Sequence, residues 1–402
     1  MHVEQLQLTG FRSYAAVQAS FPAGPQLIVG PNAAGKTNLL EAIALLGSGH
    51  SHRASSDSEL IAWGADFARL EACVSEGPGR PADRLELVLA GPGSGARKRV
   101  KVNGVPRRTS ALRGNLPVVL FAPEDMLLVI GSPGLRRAAL DALVVQLQPM
   151  AAAGLSTYGR ALTQRNNLLR AVRDRLAAPD ELVYWNGVLC QEGGRIVEWR
   201  QDTIASLADP LAAAHAEIAP TEERLSLAYV SNAQPLAGET PQAALERRLA
   251  ETREKELWNG ATLVGPHRDD FSFSLGRREM AGAASRGQQR SAILAFKLAQ
   301  LGLLRSRDGR QPLLLLDDVF SELDPQRRAH LVRRIGELPQ AFVTTTTLDD
   351  LDPSLVAAST TWRVTPGSLE RTSEANWPTP PDPAATEQVA ATDAAAPVGP
   401  AR

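Results

Sequence analysis

Short apolar or alternating runs, broken by Gly and Pro, open the chain and predict strands over residues 3–8, at Phe21 and over residues 27–29. Leu85-Glu86-Leu87-Val88-Leu89 and Arg99-Val100-Lys101-Val102 alternate, and the second run ends at Asn103-Gly104, a pair that favours a two-residue hairpin turn. Residues 117–121 are a further buried-strand candidate. From about residue 124 to residue 256 the period changes to a helical one, as at Leu162, Leu168, Leu169 and Val172. Gly and Pro interrupt this stretch too often for a long coiled coil. Strand character returns over residues 261–264 and 271–275, and a helix is predicted over residues 287–304. Residues 312–318 are an apolar run ending in two carboxylates, and residues 341–347 predict one more strand. Beyond about residue 367 the chain is rich in Pro, Ala, Thr and Glu with few large apolar residues, which predicts a disordered tail over residues 367–402.

Composition narrows the class without naming a function. The 402 residues suffice for two or three domains, each with its own core. A net charge of −1 is neither histone-like nor strongly acidic, so any nucleic-acid binding must come from a local patch. The two cysteines, Cys73 and Cys190, have no partner spacing; this disfavours a disulfide framework or a thiolate zinc site and fits a reducing cytoplasm. Neither a signal peptide nor a membrane-spanning run of about 18 apolar residues is expected.

The chemistry concentrates in residues 30–37, Gly-Pro-Asn-Ala-Ala-Gly-Lys-Thr, between a strand-like and a helix-like run. Such a phosphate-binding loop points backbone N–H groups at phosphates and closes on a helix N-terminus. Gly30, Pro31, Asn32, Ala33, Ala34 and Gly35 would form the loop, Lys36 would reach the β- and γ-phosphates of ATP, and Thr37 would ligate Mg²⁺. Asp317, at the end of the 312–318 run, would also serve Mg²⁺, and Asp318 would orient or deprotonate the attacking water. Ser285-Arg286-Gly287-Gln288, just before a predicted helix, is a second anion-binding turn. Together these suggest the ATP-binding-cassette plan, in which the second turn of one subunit caps the γ-phosphate held by the other. His50 and His52 form a pair without ligand-spaced partners and read as part of a polar loop.

The opening Leu8-Thr9-Gly10-Phe11-Arg12-Ser13-Tyr14, residues 121–126, 131–133 and 136–137, Gly265-Pro266-His267-Arg268-Asp269-Asp270 and residues 316–324 resemble the RecF family of bacterial recombination-mediator ATPases, related to SMC proteins. The resemblance covers about residues 3–350. It implies an α/β fold: an ABC/SMC-type P-loop ATPase head formed from both chain ends, with an inserted mainly helical lobe. The divisions expected are residues 1–123 and 257–366 for the head and 124–256 for the lobe. It implies that Arg12 contacts the nucleotide, that Ser285, Gly287 and Gln288 act across a homodimer, and that Asp324 lies in the loop linking the two sites. Aspartate replaces the usual cassette catalytic glutamate at 318, as the resemblance leads one to expect, so hydrolysis should be slow and suit a switch. One of Thr344, Thr345 and Thr346 stands where transporters carry a histidine. No role for His267 follows.

Arg97, Lys98, Arg99, Lys101, Arg107, Arg108, Arg113, Arg136 and Arg137 face only Glu124 and Asp125 in the same stretch. With the resemblance, this patch is expected to bind the backbone of double-stranded or gapped DNA without reading sequence. Arg160, Arg165, Arg170 and Arg173 would extend it. The activity expected is a DNA-stimulated ATPase of recombinational repair, cytoplasmic, that dimerises on ATP and, with a RecR-type mediator, helps load RecA. Alternatives are a non-catalytic DNA clamp joined by ATP, and a transporter ATPase.

Overall fold

The central sheet joins strands that lie far apart in the chain. A computed structural model describes residues 1–77, 81–91 and 98–372, apart from the side chain of Glu322. The chain begins with β1 (His2–Phe11), β2 (Tyr14–Ser20), β3 (Gly24–Val29) and α1 (Lys36–Ser48). It continues through β4 (Phe67–Ser75), β5 (Asp83–Ala90), β6 (Lys98–Val102), β7 (Val105–Arg107) and β8 (Val118–Phe121). A helical stretch follows: α2 (Leu127–Ile130), α3 (Pro133–Leu147), α4 (Ala151–Arg173), α5 (Leu182–Ile218), then β9 (Leu225–Val230) and α6 (Pro241–Asn259). After it come β10 (Asp270–Leu275), β11 (Arg278–Glu279), α7 (Arg286–Asp308), β12 (Leu313–Asp317) and α8 (Pro325–Gly336). The described chain closes with β13 (Gln340–Thr345), α9 (Pro353–Ala357), β14 (Thr360–Thr365) and β15 (Ser368–Thr372).

The central sheet has the order β15-β14-β3-β13-β12-β8, parallel except for the β15 edge. Strands buried on both faces read as continuous apolar runs, and every residue of β12 and β13 is buried. Alternate residues feed two different cores. Leu27, Val29, Leu314, Leu316, Ala341 and Val343 enter the core shared with α3, α5 and α7. Ile28, Leu313, Leu315 and Phe342 enter the core around α1 and the antiparallel sheet β2-β1-β4-β5-β6-β7. Gln340 ties the two sheets directly: its amide accepts from the Val3 N–H at 2.8 Å and donates to the Val3 carbonyl at 3.1 Å.

The Asn103-Gly104 turn joins β6 to β7, with both residues at positive φ (53° and 76°) and Val102 paired with Val105. Other expectations are corrected. Phe21 lies just beyond β2 and packs its ring against Phe342 and Trp362. Residues 261–264 form no strand. Side chains take the two middle amides: Thr262 N–H donates to Asn166 and Leu263 N–H to Glu256, at 2.8 and 2.7 Å. The stretch read as helical contains β9, which pairs with β10 in a small sheet of order β11-β10-β9, so that sheet straddles residue 256. Order also runs past residue 367: Gly367, at φ 80°, turns the chain into β15. The rest of the expected tail, 373–402, lies outside the described residues.

Inside the helical stretch, Arg165 is buried rather than part of a basic surface. Its three guanidinium nitrogens donate to Asn186, Thr262 and Glu256, at 2.7, 2.7 and 2.6 Å, and Glu256 is wholly buried. Removing one partner of a buried pair leaves the other charge uncompensated. Arg165→Ala should therefore lower stability by about 3–5 kcal/mol in urea unfolding. A change within about 0.5 kcal/mol, as expected of a surface position, would contradict this placement.

Candidate active site

The phosphate loop lies between β3 and α1, where the last strand residue gives way to a tight turn. Gly30 N–H donates to the Thr345 carbonyl at 3.3 Å, and a Cβ at Gly30 would lie 2.3 Å from the Val364 carbonyl oxygen. Ala33 and Gly35 hold positive φ (64° and 115°), while Ala34 is buried and Pro31 and Asn32 are exposed. Gly35 is also the close-approach position: a Cβ there would meet Ser13 Oγ at 2.7 Å. The Tyr14 hydroxyl donates to the Gly35 carbonyl at 3.0 Å, so β2 braces the loop from outside. α1 starts at Lys36 with no acidic residue in its first turn, which leaves its N-terminal dipole available to an anion.

Lys36 is buried, and its ammonium donates to the carbonyls of Gly30 and Pro31 at 2.7 and 3.0 Å. Burial lowers its pKa, opposed by the nearby carboxylates of Asp318 and Asp317. Across the sheet, β13 sits between β3 and β12 and brings Asp317 to the loop. Asp317 Oδ1 accepts from the Thr37 hydroxyl at 3.1 Å and the Thr344 hydroxyl at 2.7 Å. The Thr344 hydroxyl also accepts from the Asp318 N–H at 2.9 Å. Asp318 itself stands at φ 51°, in the left-handed region that few residues other than Gly adopt.

Among the three threonines, Thr344 is thus the one against the carboxylates, whereas the Thr345 hydroxyl donates to the Thr347 carbonyl. Sequence reasoning left this open because consecutive strand residues differ only in the face they present. Arg290 was not singled out either; it lines a small cavity with Asp317, Asp318, Phe121 and Pro123.

Ser285 caps α7 in a reciprocal box: its hydroxyl accepts from Gln288 N–H at 3.2 Å, and Gln288 Oε1 accepts from Ser285 N–H at 3.0 Å. Gly287 follows the cap, with only Ser285 Oγ, at 3.8 Å, near its Cβ direction. Among the described residues, no hydrogen bond links Ser285, Gly287 or Gln288 to residues 30–37 of the same chain. Asp324 caps α8, accepting from Arg327 N–H at 3.0 Å. Arg12, expected at the nucleotide, spends its fork on Glu41, two bonds of 2.9 Å, and on the Glu59 carbonyl at 3.0 Å. Ser51, between His50 and His52, also donates to Glu41, and burial lowers the pKa of both histidines.

Residues 2–364 match the family model described as the RecF/RecN/SMC N terminal domain. The chain is 39% identical over 386 residues to the DNA replication and repair protein RecF of Herpetosiphon aurantiacus, covering 92% of this chain and 99% of that one. It is 37% identical over 374 residues to that of Bacillus subtilis, with 92% and 100% covered. The chain belongs to the RecF family. A solved structure of the recombination mediator protein RecF bound to ATPrS superposes with a TM-score of 0.84 at 29% identity, covering 92% of this chain and 98% of that one. An Smc head bound to the C-winged helix domain of ScpA, at 16% identity and a TM-score of 0.51, shares the fold. The α/β architecture is therefore that of a RecF/SMC-type ATPase head, in a family with ATP-bound structures.

Against this RecF-family frame, the expected basic patch divides. Arg97 lies outside the described residues. Lys98 pairs with Asp57 at 2.9 Å, and Lys101 with Glu86 at 3.3 Å. Arg113 donates to the Ser48 carbonyl at 2.9 Å. Arg136 is buried in a two-bond pair with Asp270, at 2.7 and 2.6 Å, and Arg137 donates to the Asp269 carbonyl at 2.7 Å. Arg136 is an internal brace and corrects the expected surface, whereas Arg137 is half-buried and tied to the same loop. Arg99, Arg107 and Arg108, on or beside the β6–β7 hairpin, are exposed, as are Arg160 and Arg170 on α4.

The Gly265–Asp270 motif also gains a physical role. Besides Asp270, it supplies the Pro266 carbonyl to Arg200 at 2.7 Å and the Asp269 carboxylate to Tyr229 at 2.7 Å. His267 accepts or donates a 2.6 Å bond with the Tyr158 hydroxyl, and burial lowers it to about 4, so it is neutral. It is a half-buried joint between α4 and the Gly265–Asp270 loop. For the nucleotide site, the geometry makes Thr344 testable. Thr344→Val removes the donor to Asp317 and the acceptor of the Asp318 N–H, at a cost of about 1–3 kcal/mol. ATP turnover should fall more than nucleotide affinity; equal loss of both would contradict a role confined to the carboxylates.

Proposed function

We propose that the chain is a cytoplasmic ATPase of recombinational repair that grips DNA as an ATP-joined homodimer and lets go on hydrolysis. The observation that carries this reading is the meeting of Thr37 and Thr344 on Asp317, which puts an acidic strand end beside the phosphate loop. Thr37 and Asp317 offer hard oxygen donors that fit Mg²⁺, and they would hold it beside ATP. Bound there, Mg²⁺ would neutralise charge on the β- and γ-phosphate oxygens.

The chain's own residues do the rest. The 30–35 loop and the α1 N-terminus would cradle the phosphates, and Lys36 would exchange its two carbonyl partners for phosphate oxygens. Asp318 would orient the attacking water and accept its proton. Arg12 would reach the nucleotide only by giving up Glu41. The α7 cap (Ser285, Gly287 and Gln288) has no acidic residue in its first turn, so it suits the γ-phosphate of a facing subunit. Asp324 would stand at the same junction. Slow turnover stimulated by DNA would make the dimer a timed clamp.

Arg99, Arg107 and Arg108 would carry the phosphate contacts to double-stranded or gapped DNA, with Lys98 and Lys101 held back by their carboxylates. Relatives named for DNA replication and repair, and a neighbour whose title places it in the RecFOR pathway, support a role with a RecR-type mediator in loading RecA. Among the described residues no helix is long and apolar enough to cross a membrane.

Two measurements test this reading. Asp318→Asn should cut ATP turnover by about 100-fold or more while ATP-joined dimers persist, as read by light scattering. A variant that hydrolyses normally would remove Asp318 from the chemistry. Replacing Arg99, Arg107 and Arg108 together by Ala should weaken duplex binding and reduce the slope of log K against log salt by about one per lost phosphate contact. An unchanged slope would put the DNA elsewhere.

A further inference from the structure

Arg327, on the first turn of α8, touches both segments that the proposed dimer presents to its partner's nucleotide. Its Nε and Nη2 donate to the Ser291 hydroxyl at 3.0 and 2.5 Å. Its Nη1 donates to the Asp324 carboxylate, which already caps α8 by accepting from the Arg327 backbone N–H. Ser291 is fully buried one turn into α7, and its hydroxyl donates in turn to the Gly287 carbonyl at 3.2 Å. A continuous hydrogen-bonded path therefore runs from the Ser285–Gln288 turn, through Ser291 and Arg327, to Asp324.

A third contact anchors this path to the lobe. Arg327 Nη2 lies 3.5 Å from Glu222 Oε1, in the connection between α5 and β9. The other Glu222 oxygen faces Nε2 of the buried His215 at 3.4 Å, and neither atom has a hydrogen-bond partner. Glu222 thus lies between the guanidinium and the buried imidazole. Burial would raise the pKa of Asp324, but the N–H and guanidinium of Arg327 outweigh it and keep the carboxylate ionised. A planar fork can serve Ser291, Asp324 and Glu222 at once, which a single ammonium at that position does not match.

We propose that Arg327 is a positioning residue that locks the Ser285–Gln288 turn and Asp324 into one block, oriented by Glu222, so that both reach the partner's nucleotide together. The proposal rests on the dimer reading above. Among the described residues no hydrogen bond or ion pair links Arg327 to residues 30–37 of its own chain, so the proposed effect is on the facing site. This separates it from a residue that only supports its own fold.

The test uses the full chain. Arg327→Leu should lower kcat for ATP by about 10- to 100-fold, the scale of a small misplacement at a reacting site. Affinity for a fluorescent ATP analogue should stay within about 2-fold, because the chain's own loop is untouched. Arg327→Lys should remain slow; wild-type turnover in either variant would overturn the proposal. Mixing Arg327→Leu chains with Lys36→Ala chains should restore turnover, since one of the two mixed sites then combines an intact loop with an intact facing block. Absence of recovery, in conditions where Ser285→Arg and Lys36→Ala chains do complement each other, would overturn action in trans. A wild-type chain that stays monomeric in ATP would overturn the dimer reading itself, and sedimentation reports that independently of turnover.

Discussion

Asp317 accepts hydrogen bonds from Thr37 and Thr344 while buried at the C-terminal end of β12, and the arrangement of the proposed nucleotide site follows from that contact. Thr37 belongs to the helix that the loop closes on, and Thr344 to the strand lying between loop and carboxylate. One carboxylate oxygen thus joins three segments of the chain, with Thr37 lying 280 residues from Asp317 in sequence. The contact is maintained by parallel pairing: Thr345 is opposite Val29, and Thr344 is opposite both Ile28 and Asp317. A one-residue slip would turn Asp317 to the other face of the sheet, into an apolar core. Burial of alternate residues in two separate cores is what forbids that slip.

The same logic explains how the helical stretch can act on a distant site. It is not an appendage on a flexible joint. α5 packs in the core with α7 and the central strands, while Arg136, Arg137 and Arg200 fasten α3 and α5 to the Gly265–Asp270 loop. The lobe meets the α8 cap through Glu222. Buried, hydrogen-bonded charges of this kind add little net stability over apolar packing, but they allow few alternative arrangements. Rigid coupling between lobe and head is what a switch needs if nucleotide and DNA are to sense each other.

Much of the candidate nucleotide site's geometry was legible in the sequence because it depends on local backbone chemistry. Gly30, Gly35, Lys36 and Thr37 are adjacent, and Leu313–Asp317 announces a buried strand by composition alone. The Asn103-Gly104 hairpin was legible for the same reason. What was not legible is where a long polar side chain goes. Arg136 and Arg165 look like Arg107 in a sequence, yet their partners Asp270 and Glu256 lie 134 and 91 residues away. Tertiary pairing decides whether such a residue meets DNA or the interior. Likewise residues 261–264 carry strand-like character, but Asn166 and Glu256 take the amides of Thr262 and Leu263. β9 was hidden inside a stretch dominated by helices, because its partner β10 follows only after α6.

Closure of two heads around ATP is the claim on which the functional account turns, and sedimentation of the wild-type chain tests it most directly. The chain would be run with and without Mg·ATP, and again with a gapped duplex present. The account predicts a monomer that doubles in mass with ATP, with the dimer tightened by DNA. A monomer under every condition would contradict it, because the Ser285 cap and Asp324 would then have no nucleotide to face.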